Sequence, residues 1–320
     1  MPASTSIRPG DQVQRVLLLR TFEAFRDLSP GELAAVAEHV RPRLFRKGSY
    51  LFQLGQVVRS NHFVVDGKVA IVKDGKHVRV FGPQSALGGL ASLTGEPETQ
   101  LYLALEDTET LELFRDDIQD VFEDNFRIFQ GVMRAITRVV LEVRRRLGPS
   151  TGFLPMTTTD PIRSVDELRL MEKIFFLRQT MSFAQTRIEA LADLAQETED
   201  LTLPAGQILW RAGDVSDHAL MPISGIIACE TADGLQSFKF DPGSTVGGID
   251  ALANVPRWYE ARAETPVRTL RVDAQRLLDV IEDNIELGMD MLRVFGLGLR
   301  QLQAIEDENK LREAKASAAE

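Results

Sequence analysis

The chain repeats itself, and this limits what it can fold into more than any other feature. The run Arg46-Lys47-Gly48-Ser49-Tyr50-Leu51-Phe52-Gln53-Leu54-Gly55 aligns with Pro204-Ala205-Gly206-Gln207-Ile208-Leu209-Trp210-Arg211-Ala212-Gly213, at an offset of 158. Gly67 falls on Gly225 at the same offset. Leu87-Gly88-Gly89-Leu90 then falls on Val246-Gly247-Gly248-Ile249 at 159, followed by Pro97 on Pro256 and Asp120–Asn125 on Asp279–Asn284. One register held through both copies, with a single-residue slip, means that one domain occurs twice. The length of 320 residues fits two domains of about 100–200 residues each.

Each copy opens on a helix. Ser29-Pro30-Gly31-Glu32 is a capping box with proline at the first helical position, and its helix is expected to run through Val40. Thr186-Arg187-Ile188-Glu189 is the counterpart, opening a helix through about Gln196. Short segments rich in Val, Ile and Phe follow: Tyr50–Phe52, His62–Val65, Val69–Lys73, Val78–Phe81, Leu101–Leu105 and Thr110–Phe114. Turn sequences separate them, among them Asp66-Gly67, Asp74-Gly75 and Gly82-Pro83. Many short strands at close spacing predict a barrel or jelly roll. The periodicity then becomes helical over Asn125–Leu147 and Ile285–Ile305.

The expected fold class is therefore α+β, with two tandem β jelly-roll barrels, each flanked by helices and followed by a long helix. The expected boundaries are an N-terminal segment 1–18, a first domain 19–147, a linker 148–171, a second domain 172–305 and a charged tail 306–320. Gly, Pro and Ser residues and a Thr157-Thr158-Thr159 run mark the linker. The tail is a frayed helix end or disordered.

A helix, a barrel, a Gly-Gly turn with a later proline, and a long helix together resemble the cyclic nucleotide-binding domain. The segment Val246-Gly247-Gly248-Ile249-Asp250-Ala251-Leu252-Ala253-Asn254-Val255-Pro256-Arg257 looks like that family's phosphate-binding cassette. The resemblance covers roughly Leu19–Leu147 and Glu172–Gln303. It implies that backbone amides of a short helix and an arginine after the proline hold the cyclic phosphate, while a glutamate accepts the ribose hydroxyl. In the second copy Arg257 takes the arginine place, but Gly248 stands where the glutamate belongs. Trp258, Tyr259 and Glu260 follow where small residues are usual. In the first copy Gly89 takes the glutamate place and Glu98 the arginine place, beside Gly88.

Ligand binding in the second copy would thus fall to Gly247, Gly248, Ile249 and Arg257, while Gly88, Gly89 and Glu98 define a degenerate first pocket. An anionic side chain at a phosphate site is repulsive, so no cyclic nucleotide is expected in the first domain. In the second a cyclic nucleotide remains an alternative. Arg257 either grips a ligand anion or is a surface arginine after a turn proline, salt-bridged to a carboxylate such as Glu260 or to nothing. Trp258 and Tyr259 are read as packing. Arg144-Arg145-Arg146 form a phosphate or partner patch, or a basic helix end matched to the helix dipole.

Catalysis is poorly supplied. No nucleophile elbow, P-loop, zinc-protease helix or dinucleotide fingerprint is present. His39, His62, His77 and His218 stand singly, and Cys229, the sole cysteine, reads as an inert buried thiol. No enzyme activity, metal or obligatory cofactor is expected. Residues 1–150 hold 20 Lys+Arg against 19 Asp+Glu, and residues 151–320 hold 17 against 28, an acidic balance that argues against direct nucleic-acid contact. The DNA-reading members of the family carry a helix-turn-helix after the long helix, and the fifteen residues after Ile305 are too few for one. No membrane span and no secretory leader is seen, so a cytoplasmic protein is expected. The leading expectation is a regulatory or adaptor protein acting through another protein, with homo-oligomerisation through the long helices left open. The alternatives are a cyclic-nucleotide sensor using the second pocket and a DNA-binding-deficient relative of a transcription regulator.

Overall fold

The computed structural model describes residues 11–26, 28–73, 75–147, 168–180 and 183–317. The expected linker lies almost wholly outside the described residues. Two compact units are present, Met1–Val132 and Met133–Glu320.

The first unit begins with α1 (Gln12–Leu19) and α2 (Pro30–His39). The capping box forms as expected: Glu32 N–H donates to Ser29 Oγ, and Ser29 N–H donates to a Glu32 carboxylate oxygen. Strands β1 (Arg41–Phe45), β2 (Tyr50–Phe52), β3 (Ser60–Asp66), β4 (Val69–Lys73), β5 (Lys76–Phe81) and β6 (Ala86–Leu87) follow. Then come α3 (Gly89–Thr94), β7 (Leu101–Ala104), β8 (Thr108–Phe114), α4 (Arg115–Asp124) and α5 (Phe126–Leu147). The strands form two antiparallel sheets, in order β1-β8-β3-β6 and β2-β7-β4-β5. That is the jelly-roll order, in which most chain neighbours fall in different sheets and the β4–β5 hairpin is the exception. Alternation along β3 and β8 divides the side chains. Phe63 turns to the helices, where it meets Phe22 and Phe25 at ring-centroid distances of 5.2 and 5.0 Å. Ser60, His62, Thr110 and Glu112 lie on the other face.

The second unit repeats the plan. It takes in the latter part of α5, then α6 (Leu170–Gln179), α7 (Ile188–Gln196), β9 (Thr198–Leu203), β10 (Ile208–Trp210), β11 (His218–Ser224), β12 (Ile227–Thr231) and β13 (Ser237–Phe240). It closes with α8 (Gly248–Ala253), β14 (Tyr259–Ala263), β15 (Val267–Asp273), α9 (Ala274–Asp283) and α10 (Ile285–Ser317). Its sheets run β9-β15-β11 and β10-β14-β12-β13, with a bridge from Leu220 to Val246 where the first unit has β6. The fold is α+β and carries the jelly roll twice.

Two expectations about helix ends are corrected. The second capping box does not form: α7 begins at Ile188 with Arg187 as an N-cap whose side chain does not cap the helix. The Thr186 hydroxyl instead donates to Asp290 of α10, 3.1 Å away. The tail does not fray at Ile305, because α10 continues through Ser317. Among the described residues no helix is long and apolar enough to cross a membrane, and no group of three His, Cys, Asp or Glu is placed to hold a metal.

Candidate functional site

In both units the cassette is a short helix entered through a glycine in the left-handed conformation, Gly88 at φ 81° before α3 and Gly247 at φ 75° before α8. The residues in the arginine place also share a backbone pattern. Glu98 N–H donates to Gln56 C=O and its own C=O accepts from Gly55 N–H, both at 2.8 Å. Arg257 N–H donates to Asp214 C=O at 2.9 Å and its C=O accepts from Gly213 N–H at 2.7 Å. Glu98 and Arg257 therefore stand at one place in one fold, as the sequence alignment puts them.

Arg257 corrects the surface alternative, and its pairing with Glu260 does not occur. Its side chain is 1% exposed, despite a charge that ordinarily keeps arginine at the surface. Nη1 donates to Gly247 C=O at 2.7 Å and Nη2 to His218 C=O at 2.6 Å. The guanidinium carbon lies 4.1 Å from the centroid of the Trp210 ring, a cation–π contact worth about 2 kcal/mol when desolvated. Asp250 of α8, itself 2% exposed, brings Oδ2 to 3.8 Å of Nη1. Glu260 pairs instead with Arg262 and Arg211 at the surface. Glycine at 247 is what lets the guanidinium in, since a Cβ there would run into Arg257 Nη1 and would sit 2.9 Å from its Cζ.

Burial governs the charges here. It pushes the Asp250 carboxyl up to about 6, against the pull of Arg257, Arg144 and Arg145. It also lowers the Arg257 guanidinium from its ordinary value, with Asp250 opposing. The Cys229 thiol is pushed far up by burial, in keeping with an inert thiol. Three buried polar atoms here make no hydrogen bond: Asp250 Oδ2, Arg257 Nε and Trp210 Nε1.

Aromatic rings pack against the aliphatic core of this barrel. Phe238 stacks on Trp258 at 5.6 Å and 19°, and meets Tyr259 edge-on at 5.1 Å. Phe240 lies 5.6 Å from Phe238, and Trp210 lies 5.9 Å from Tyr259. The packing role expected for Trp258 and Tyr259 is what they have. Two arginines of the basic end of α5 reach the same region, while Arg146 stays exposed and pairs with Glu142 and Glu306. The Arg144 guanidinium lies 5.9 Å from the Phe238 ring and 5.8 Å from Phe240, and burial lowers its pKa. Arg145 lies over Trp258 at 5.4 Å, and Arg138 Nε donates to Ala253 C=O at 3.1 Å.

The first unit fills the corresponding space differently. Phe52 takes the Trp210 place, and a Cβ on Gly88 would sit 2.5 Å from Phe52 Cζ. Glu98 is 6% exposed and folds onto its own backbone, where Oε1 accepts from Thr99 N–H at 2.8 Å and Gln100 N–H at 3.0 Å. A second polar group is buried nearby. Ser60 Oγ donates to Glu112 Oε1 at 2.9 Å, Arg43 pairs with the other Glu112 oxygen, and His62 Nδ1 lies 3.0 Å from Thr110 Oγ1. Phe45 and Phe52 stand edge-on to the His62 ring. Burial and Arg43 pull His62 down to about 4 in spite of Glu112, so the ring is neutral at pH 7.

Of the site residues expected from sequence, Gly247, Gly248 and Arg257 converge, and Ile249 takes its place in α8 beside them. Gly88, Gly89 and Glu98 surround the first cassette. Sequence reasoning missed the part played by Asp250, Trp210 and His218. Asp250 left a signal, as the one charged residue in the small apolar run Gly248–Ala253. Trp210 left another, falling on Phe52 at the repeat offset.

Comparison with known proteins accords with this geometry. The profile of the cyclic nucleotide-binding domain matches residues 42–125 and 200–284. A CRP-like cAMP-activated global transcriptional regulator of Mycobacterium tuberculosis is 23% identical over 190 residues, which is 56% of this chain and 83% of that protein. A cyclic nucleotide-gated potassium channel of Rhizobium etli is 25% identical over 143 residues, 45% of this chain, and the match spans only 38% of the channel. The regulatory domain of Toxoplasma gondii PKA, solved with cAMP, aligns over 88% of this chain and 97% of its own at 17% identity and a TM-score of 0.33. With both profile matches falling on the repeated barrels, the chain belongs to the cyclic nucleotide-binding domain family and carries that domain in tandem.

Proposed function

We propose that this chain is a non-enzymatic regulatory protein whose two barrels act through protein contacts and not as receptors for cyclic nucleotides. The observation that carries the reading is the state of Arg257. Both of its Nη groups are committed to backbone carbonyls, its face to Trp210 and its charge to Asp250. A phosphate entering there would have to replace contacts already made in a desolvated site, beside a carboxylate. In the first barrel the same place holds Glu98, whose acceptor oxygen is taken up by its own backbone. Neither cassette presents a guanidinium directed at an anion. The acidic second half and the family's tandem arrangement support a role in controlling another protein.

Thermal unfolding with cyclic AMP and cyclic GMP tests this reading. The expected result is no shift of either unit with either nucleotide at millimolar concentration. A saturable stabilisation that disappears in Arg257→Ala would establish the sensor reading instead.

A further inference from the structure

The second barrel holds the chemistry of a cation site inside a fold built for anions. Phe238 and Phe240 of β13, with Trp258 and Tyr259 at the start of β14, make a contiguous aromatic wall. Asp250 supplies a buried carboxylate, and its electrostatic partners include Arg144 as well as Arg257. Aromatic faces beside a carboxylate are the arrangement that recognises organic cations, because ring quadrupoles and anion attract the same charge. The site already holds one. Arg144 places its guanidinium within 6 Å of both the Phe238 and the Phe240 ring centroids, while its neighbour Arg145 covers Trp258. Two turns earlier, Arg138 ties α5 to the C-terminal end of α8.

We propose that the second barrel is a guanidinium-binding cage whose ligand is tethered: Arg144 of α5 occupies the interior that a diffusible ligand would take, and its occupancy fixes α5 against the cassette. Guanidinium suits the cage better than ammonium, being planar, weakly hydrated and able to lie against rings. The inference rests on the reading of this barrel as closed to nucleotides. Its failure is separable, since nucleotide titration reports on Arg257 and the test below on Arg144.

The test is chemical rescue in the full chain. Arg144→Ala removes the tethered group and leaves a space of its shape. Ethylguanidinium is expected to raise the melting temperature of Arg144→Ala saturably in the low-millimolar range, with no such effect on the wild type or on Arg144→Ala/Asp250→Asn. Ethylammonium at the same concentration is expected to rescue poorly. Equal response of wild type and variant, or equal rescue by the ammonium, would overturn the proposal. Should Arg144→Ala not fold, Arg144→Met keeps the volume without the charge. Amides of residues 138–147 in that variant are then expected to exchange about tenfold faster than in the wild type. Unchanged exchange there would overturn the proposal equally.

Discussion

At one place in the two barrels, one glycine makes room for a phenylalanine and the other for an arginine. Gly88 and Gly247 share a backbone conformation, and each admits a group too close for any Cβ. In the first barrel that group is Phe52, and the charge that follows at Glu98 turns onto its own loop. In the second it is Arg257, laid on Trp210 and held by Gly247 and His218 carbonyls. In both barrels a buried side chain stands against that glycine, an apolar ring in the first and a guanidinium within an ionic cluster in the second. The lesson is that a shared backbone sets where a site lies, while side chains decide whether it is solid, charged or open.

The sharpest way to break the comparison is to delete the two residues in the arginine place. Arg257→Ala strands Asp250 and the Gly247 and His218 carbonyls in the interior, so a loss of about 3–5 kcal/mol is expected from denaturant unfolding. Glu98→Gln leaves an amide oxygen to accept from Thr99 and Gln100, so a loss of about 1 kcal/mol or less is expected. Similar losses would mean that the two sites are equivalent after all.

Next in size is the glycine itself. Gly247→Ala combines a left-handed backbone with a clash against Arg257, and about 3 kcal/mol is expected to be lost. Because the tightest contacts are with that side chain, the Trp210 ring standing 3.0 Å off, Gly247→Ala combined with Arg257→Ala should cost less than the two added together. Strict additivity would show that the guanidinium is not what the glycine accommodates.

Acid separates the barrels by sign. His62 titrates near 4 in the fold and near 6.5 when unfolded, so the unfolded chain takes the proton first. Its contribution is complete above pH 6.5 and is lost as the pH falls to 4, by up to about 3 kcal/mol. Asp250 runs the other way: its folded value of about 6 exceeds the unfolded 3.8, so this group favours the fold more as pH falls through the same window. Hydrogen exchange resolved by unit at pH 4.5 and 7 should show the first unit loosening first, and His62→Gln should flatten that response. Earlier loosening of the second unit would contradict the assignment.

The smallest effects are expected at the exposed pairs. Removing Lys239 from Glu264, or Arg187 from Glu286, should change stability by about 0.5 kcal/mol or less, because both partners are solvated. Urea midpoints near the wild-type value would set the baseline for the larger effects above.

The architecture was legible because duplication writes the same constraints twice. The offset of 158 to 159, the glycines and the Ser29 capping box all express local geometry, and local geometry is encoded locally. Expectation failed where a distant partner decided. The Thr186 hydroxyl has the choice of its own helix or Asp290, over a hundred residues away, and takes the latter. Neither alternative for Arg257 foresaw its burial, because one of the carbonyls that hold it belongs to His218, 39 residues away on β11. Arg144 reads as the basic end of a helix, and only the packing of α5 on the aromatic wall buries it. Charge in the interior is the least legible feature, since its partners are recruited from every part of the unit.

The central claim, that the Arg257 guanidinium is consumed inside the protein, is open to direct observation. Arginine-selective ¹⁵N NMR reads the Nη groups of this side chain while cyclic AMP is titrated to millimolar concentration. The account predicts slowly rotating, protected Nη signals that do not move. Arg257 signals that rotate freely in the apo protein, or shift saturably with the nucleotide, would contradict it.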